Sequence, residues 1–229
     1  MKILTLVIRW LFVLCLPLLL LSASIGGAAN SISLYKYGFE KYNVSQTTGL
    51  DIENLAFLAE ELVQYFNSDA QYISVTVVKD GQSFALFNER EIVHLKDVKG
   101  LFRLDYWIFL GTLLYSLAFV VFVIWRREWR HLAWGLIWGG GLTVALMIVL
   151  GVGALLNFDR LFLQFHLLSF ANELWQLDPS KDYLIMLFPR GFWYDATVFI
   201  AIATAVGAVI LGGVGIFLYS SASAGLRRG

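Results

Sequence analysis

Apolar residues are concentrated in four long runs that are separated by polar stretches of very unequal length. The runs cover roughly residues 3–25, 106–125, 132–155 and 193–220. A helix needs about 20 mostly apolar residues to cross the hydrocarbon core of a bilayer, and each run meets that requirement. The pattern therefore predicts an α-helical membrane protein with four transmembrane helices.

Composition supports this class. Hydrophobic residues make up 59% of the chain and charged residues only 15%, and the mean hydropathy of +0.70 lies far above that of ordinary soluble domains. The formal net charge is zero, and the chain has no basic arm or base-stacking platform. We therefore expect membrane lipid around this protein and no nucleic acid as a partner.

The first run has two interpretations. Lys2 and Arg9 precede an apolar stretch that ends in small residues, as in a secretory signal peptide. The stretch "LTLVIRWLFVLCLPLLLLSAS" is longer than most signal-peptide cores, however, so we expect it to be retained as the first span. Cys15 is the single cysteine and lies within this span, so we expect a buried, inert thiol and no internal disulfide.

Basic residues predict the orientation. They cluster at the short connection and near both termini, and the positive-inside rule places such residues in the cytoplasm: Lys2, Arg9, Arg126, Arg127, Arg130, Arg227 and Arg228. The prediction is a multi-pass membrane protein with both termini in the cytoplasm and the long polar regions outside. Its segments are span 1 (1–25), an outer cap (26–105), span 2 (106–125), a cytoplasmic loop (126–131), span 3 (132–155), an outer interfacial segment (156–192), span 4 (193–220) and a cytoplasmic tail (221–229).

The outer cap is predicted to be α+β. The stretch "TTGLDIENLAFLAEELVQYF" has the spacing of an amphipathic helix with Thr48 or Asp51 as its cap. Asp80 and Gly81 between two β-rich runs predict a hairpin. Asn88 and Glu91 then predict the start of a second cap helix that ends near Gly100, in the range 88–100.

The second outer segment is predicted to lie at the membrane interface. Asp159 can cap a helix that carries Phe162, His166 and Glu173 on one side and stops near Asp178. Its polar residues make it a poor fifth span, so an interfacial or re-entrant helix fits better.

Two histidines are the candidate reactive groups. His94 and His166 are the only histidines in the predicted outer regions, and both have carboxylates nearby in the sequence. An interfacial histidine is more often structural, and we interpret His131 in that way. The chain has no HExxH pair, and Ser169 lies outside any GxSxG motif, so zinc and serine hydrolase sites are not favoured.

Two sequence blocks carry a resemblance to a known family. "EREIVHLKDVKGLF" and "FHLLSFANELWQLDPSKDYLIMLFPRGFWYD" resemble the motif blocks of the lipoprotein intramolecular transacylases of bacterial membranes. The resemblance implies transfer of the sn-2 acyl chain of a diacylglyceryl lipoprotein to the amine of its own N-terminal cysteine, giving the lyso form. It also implies that His94 and His166 are catalytic, and no cofactor or metal is expected.

The remaining site residues follow from the chemistry of that reaction. Phe162 and Trp175 are candidate walls for a dry pocket, Asn172 is a candidate neutral donor, and Arg190 could hold headgroup oxygens. Aromatic residues at an interface also form ordinary belts, and an arginine beside a span often only snorkels. A carboxylate of Glu91 or Asp97 would favour His94 as the base, although the sequence leaves base and acid unassigned.

Two other functions remain open at this stage. One is a non-enzymatic membrane scaffold whose outer cap binds a partner protein. The other is a metal-dependent membrane hydrolase.

Overall fold

The computed structural model describes the backbone of residues 2–225 and the side chains of residues 4–221, so the side chain of Lys2 and all of Arg227 and Arg228 lie outside the described residues. In chain order its elements are α1 (Lys2–Ala29), α2 (Ile32–Lys41), α3 (Val44–Thr48), α4 (Ile52–Asn67), β1 (Thr76–Lys79), β2 (Gln82–Ala85), α5 (Glu89–Trp125), α6 (Trp129–Ser169), α7 (Tyr183–Leu187) and α8 (Arg190–Gly225).

Four of these helices are long and apolar enough to cross a membrane, within the part of the chain that is described. They are α1, α5, α6 and α8, each with an apolar window of at least 18 residues. The prediction of a four-span helical protein with a small β-hairpin outside the spans is confirmed.

The chain forms two compact units. The first, here called the span unit, comprises residues 1–26, 105–155 and 198–229. The second, the cap unit, comprises residues 27–104 and 156–197.

The division between the units follows the distribution of charge in α5. Residues 89–105 carry eight charged side chains and residues 106–125 carry none. A charged side chain is costly in the hydrocarbon core, so the membrane-crossing part of α5 begins after Asp105. The earlier turns of the helix lie outside the span.

A backbone break divides α6. Asn157 has the non-helical angles φ −159° and ψ 83°, and its side-chain oxygen accepts a hydrogen bond from the Arg160 N–H at 2.9 Å. Asn157 is thus the N-cap of a separate helical segment, residues 158–169, which lies outside the apolar span. The expectation that Asp159 caps this helix was wrong, and so was its predicted end near Asp178, since the helix stops at Ser169.

Close helix packing in the span unit depends on glycines of α6. A Cβ added at Gly135 would lie 2.6 Å from the Phe12 ring, and one at Gly140 would lie 2.8 Å from the Ala208 carbonyl oxygen. Neither contact is sterically allowed. Phe12 in turn stacks on Phe119 with ring centroids 4.2 Å apart. The absence of a side chain at Gly135 and Gly140 therefore permits the close approach of the spans.

Helix α4 is the main core helix of the cap unit. The Asp51 carboxylate accepts a hydrogen bond from the Asn54 N–H at 2.7 Å, so Asp51 is the cap and Thr48 is not. The predicted apolar face is buried as expected: Leu55, Leu58, Leu62 and Phe66. Strands β1 and β2 pair antiparallel from Thr76 opposite Ala85 to Lys79 opposite Gln82, and Asp80 and Gly81 both have positive φ, which confirms the hairpin.

The sequence interpretation missed helix α2. Its N-cap is Ser31, whose side chain accepts from the Leu34 N–H, and it buries only Tyr35, Gly38 and Phe39. A glycine in a short helix weakens the helical signal by about 1 kcal/mol. The glycine is required because a Cβ at Gly38 would lie 2.7 Å from a ring carbon of Phe192.

Helix α5 begins where it was predicted to begin but does not end there. Asn88 and Glu91 form a reciprocal pair, in which each residue's backbone N–H donates to the other's side chain, at 2.8 and 3.1 Å. The predicted end at Gly100 was wrong, since the helix continues to Trp125. Gly100 does not adopt the positive φ of a helix-terminating glycine.

Candidate active site

Two histidines from distant parts of the sequence meet in the cap unit. His94 lies near the start of α5 and His166 lies on the segment 158–169 that follows the Asn157 break. Their ring centroids are 6.4 Å apart and their planes differ by 27°. Only 7% of His94 and 9% of His166 is exposed. The two rings are therefore close enough to act on one small group bound between them.

Aromatic rings surround the pair. Phe162 and Trp175 lie with ring centroids 4.4 and 4.9 Å from that of His166. Phe170 lies 5.0 Å from His94 in an edge-to-face arrangement. This shell removes water from around both imidazoles, and electrostatic interactions are stronger where water is excluded.

The tautomer of His166 follows from its backbone contact. Its Nδ1 lies 2.8 Å from the Phe162 carbonyl oxygen, which can only accept a hydrogen bond. Nδ1 must therefore carry the proton, and in the neutral ring Nε2 presents a lone pair. This geometry orients Nε2 as a proton acceptor.

His94 has no comparable anchor. Its Nδ1 is buried and has no hydrogen-bond partner among the described residues. The expected carboxylate partner is absent there because both candidates are engaged elsewhere. Glu91 accepts from the N–H groups of Asn88 and Leu184, and Asp97 accepts from the Asn172 amide at 2.8 Å. Neither carboxylate hydrogen-bonds His94, so Asp97 favours a basic His94 only through its negative charge, and this effect is smaller than that of burial.

Burial changes the acidity of both rings, which lie outside the membrane-crossing segments. Burial lowers the pKa of His94 to about 4; the neighbouring His166 contributes in the same direction and Asp97 opposes it. Burial also lowers the pKa of His166, opposed by its hydrogen bond to Phe162. Both imidazoles are therefore neutral at pH 7 and can accept or donate a proton as neutral rings.

Helix α5 holds the loop that carries Trp175. Arg90 donates hydrogen bonds to the carbonyl oxygens of Glu173 and Leu174 at 2.6 and 3.3 Å. Two turns further along the helix, Asp97 accepts from the Asn172 side-chain amide. These contacts fix residues 172–174, and the next residue, Trp175, lies against His166.

The structure brings some of the predicted substrate-binding residues together. Phe162 and Trp175 both line the histidine pair, and Asn172 holds the loop through Asp97. Arg190 instead forms an ion pair with Asp159 and lies over the Phe158 ring at 5.7 Å. The sequence interpretation missed Arg90, although its spacing of four residues from His94 on a helix places both on one face.

Other candidate chemistry is located elsewhere. His131 lies in the span unit, where Glu128 contacts its Nδ1 at 2.7 Å and Arg9 contacts both of its ring nitrogens. Cys15 is buried and free. Among the residues that the structure describes, no group of three or more His, Cys, Asp or Glu side chains is placed to hold a metal ion.

The fold and the site define a class: a four-helix integral membrane protein with a buried histidine pair in a unit outside its spans. Comparison with known families gives the more specific assignment. The family model described as "Lipoprotein intramolecular transacylase Lit" matches residues 10–193. The chain belongs to this family of membrane acyltransferases.

Individual proteins also match the chain. An uncharacterised protein of Aquifex aeolicus (strain VF5) is 31% identical over 125 residues, which cover 55% of this chain and 54% of that protein, so the match spans about half of the relative's length. The structure of the lipoprotein intramolecular transacylase Lit from Bacillus cereus matches with a TM-score of 0.84 at 17% identity, over 97% of this chain and 99% of that one. A histidine-to-alanine variant of the same Bacillus cereus protein matches with a TM-score of 0.79 at 16% identity, over 97% and 96% of the two chains. At this identity the solved structures show a shared fold.

Proposed function

We propose that this chain transfers the sn-2 acyl group of a diacylglyceryl-modified lipoprotein to the α-amino group of that lipoprotein's own N-terminal cysteine. The product is the lyso-form lipoprotein. The observation that carries the proposal is the convergence of two buried imidazoles, 6.4 Å apart, inside an aromatic shell. Membership of the transacylase family supports the choice of reaction.

His166 is the proposed general base. Its Nδ1 is committed to the Phe162 carbonyl, so Nε2 is free to accept a proton from the substrate's α-ammonium group. An α-ammonium has an ordinary pKa of about 7.7 to 8.0, so it is largely protonated at neutral pH and cannot attack an ester in that form. Loss of the proton to His166 makes the nitrogen nucleophilic.

His94 is the proposed stabiliser of the tetrahedral intermediate. A neutral imidazole donates one N–H and can place it against the oxyanion that forms when the amine attacks the ester carbonyl. The lowered pKa of His94 favours the neutral donor over an imidazolium. Because its Nδ1 has no hydrogen-bond partner, the ring can adopt either neutral tautomer, including the one that donates to the oxyanion.

All proton transfers of the proposed reaction pass through the His166 ring. Collapse of the intermediate forms the amide and breaks the bond between the acyl carbon and the glycerol oxygen. Protonated His166 gives its proton to that oxygen, which leaves as the hydroxyl of the lyso lipid. The ring then takes the second proton of the former ammonium group from the amide nitrogen and releases it to solvent.

Proton transfer alone does not account for catalysis. General acid and base groups contribute about 100-fold to 10,000-fold in rate. The amine and the ester belong to one molecule, so a rigid site that brings them together can add an effective molarity of about 10⁵ M or more. Phe162, Phe170 and Trp175 are the proposed walls that hold the glyceryl group in this arrangement.

Expression of the chain in a bacterium that otherwise makes diacylated lipoproteins tests the proposal. Mass spectrometry of the N-terminal lipopeptides should show acyl migration from glycerol to the cysteine nitrogen. His94→Gln and His166→Gln should each slow migration by about 100-fold or more, because each removes an imidazole from the reacting group. His131→Gln is the matched control and should retain activity.

Unchanged diacyl peptides in cells with well-expressed protein would reject the reaction. Migration that persists in both active-site variants would instead reject the role of the histidine pair. A scaffold that acts by binding a partner predicts no migration in any of these strains.

A further inference from the structure

A polar pocket lies at the start of α5. Its volume is about 530 Å³, within the range of ordinary ligand sites. Two segments line it, the first residues of α5 and the loop before α7, with these side chains: Asn88, Arg90, Gln176, Leu177, Asp178, Lys181 and Asp182. All of them belong to the cap unit.

The carboxylates of the two acidic residues in the pocket accept hydrogen bonds from other residues of the protein. Asp182 is 3% exposed, and its carboxylate accepts from the Asn88 amide at 2.8 Å and from the Asp178 N–H at 2.7 Å. Asp178 accepts from the Ser180 hydroxyl and N–H at 2.7 and 2.9 Å. Its pKa is lowered chiefly by these Ser180 hydrogen bonds, which keep it ionised and paired.

Donors in the pocket remain available. Arg90 uses Nε and one terminal nitrogen on loop carbonyls, and a guanidinium has five N–H groups. The Lys181 ammonium lies 3.6 Å from Asp178 and its side chain is 70% exposed. The Gln176 amide makes no side-chain hydrogen bond within the described part of the chain. The pocket therefore offers spare N–H donors to an oxygen-rich ligand.

Two separate segments connect the pocket with the histidine pair. Arg90 precedes His94 by one helical turn on the same face of α5, a rise of about 6 Å. In the loop, Gln176 directly follows Trp175, whose ring lies 4.9 Å from that of His166. A chain that leaves the histidine pair along this wall needs about two extended residues, at roughly 3.3 Å each, to reach the pocket.

We propose that this pocket binds the polypeptide that directly follows the lipidated cysteine of the substrate, through hydrogen bonds to its backbone carbonyl oxygens. The inference rests on the proposed transacylation, in which the cysteine amine lies at the histidine pair. Acyl chains do not suit a pocket with polar walls, and the glyceryl group is held at the histidine pair, where its ester reacts. The peptide is the remaining part of the substrate, and its carbonyl oxygens match the spare donors.

Synthetic diacyl lipopeptides of increasing length test this proposal with the purified full chain. One series carries the same lipid on cysteine amide alone and on peptides of two and four residues, and mass spectrometry measures kcat and KM for acyl migration. The four-residue substrate should have a KM about tenfold lower than cysteine amide. This corresponds to about 1.4 kcal/mol, or one to two hydrogen bonds.

Variants of the pocket identify where the peptide binds. Gln176→Trp fills the pocket and Lys181→Ala removes a donor, so each should raise the KM of the four-residue substrate towards that of cysteine amide. A structural defect would instead lower kcat for every substrate. Gln64→Trp and Lys36→Ala are matched controls at exposed positions of α4 and α2 and should keep the length dependence.

Each result has a defined meaning. A KM that does not depend on peptide length overturns the inference, as does a length dependence that survives both pocket variants or an equal loss of kcat on all substrates. Migration in these cases would still support the proposed reaction. Absence of migration from every lipopeptide would overturn the proposed reaction together with this inference.

Discussion

At the scale of single residues, the neighbours of His94 decide its proposed role. In the sequence, Glu91 and Asp97 lie one turn from it on either side, and this spacing favours a basic imidazole. In the folded chain Glu91 is 1% exposed, and its carboxylate accepts hydrogen bonds from two backbone N–H groups at the start of α5 and of α7. His94 is left in an apolar shell that lowers its pKa. The sequence identified His94 as a candidate, but it could not show that the carboxylates of Glu91 and Asp97 would bind other hydrogen-bond donors.

The lowered pKa values predict the pH dependence of the reaction. In the proposed reactive state, the substrate amine and His166 share one transferable proton. This state is lost when His166 takes up an additional proton from solvent. Because burial lowers the pKa of both rings below 6.5, that loss should occur only under more acidic conditions.

A pH profile of kcat for acyl migration measures this. The rate should change by less than about twofold between pH 7.5 and 6.5, and its acid limb should lie below pH 6.5. An acid limb at or above that value would contradict a buried, neutral histidine pair.

At the scale of elements, local signals predicted the beginnings of helices better than their ends. Asp51 and the Asn88–Glu91 pair cap their helices through side-chain contacts within three residues, which a sequence displays directly. The length of α5 depends on packing along its whole course, so Gly100 did not reveal it. The break at Asn157 also has no clear sequence signal, because apolar residues flank it on both sides and the run resembles one continuous helix.

The break at Asn157 positions His166, and its cap can be tested. Asn157→Ala removes the acceptor for the Arg160 N–H, and loss of an N-cap costs about 1 kcal/mol. Local opening of the segment 158–169 should then be about fivefold more frequent. Hydrogen exchange with mass spectrometry should show correspondingly faster exchange in peptides from this segment. Ser31→Ala removes the equivalent cap of α2 and should leave this segment unchanged; equal protection in Asn157→Ala would show that the cap does not hold the segment.

At the scale of the whole molecule, the two units bury apolar residues in different ways. The cap unit has its own core, with Leu58, Leu62 and Leu187 fully buried. In the span unit many large apolar side chains are exposed, including Val149 at 68% and Phe217 at 68%, as expected for helices whose outer faces meet lipid. Hydropathy alone predicted the spans. The meeting of His94 and His166 joins residues 72 positions apart, and such a contact leaves no local signal in a single sequence.

The orientation of the chain in the membrane is the last prediction. The positive-inside rule predicts that the connection between α5 and α6, with Arg126, Arg127 and Arg130, lies in the cytoplasm. The same rule predicts that the cap unit, whose segments have more acidic residues, lies outside the cell. Single cysteines can report this in a Cys15→Ala background, since Cys15 is the chain's one native thiol. Ile52→Cys, at a position that is 80% exposed in the cap unit, should react with a membrane-impermeant maleimide on intact cells. Arg126→Cys, where the native side chain is 56% exposed, should react only after the cells are lysed. The opposite labelling pattern would place the histidine pair on the cytoplasmic side and would contradict the orientation drawn from the basic residues.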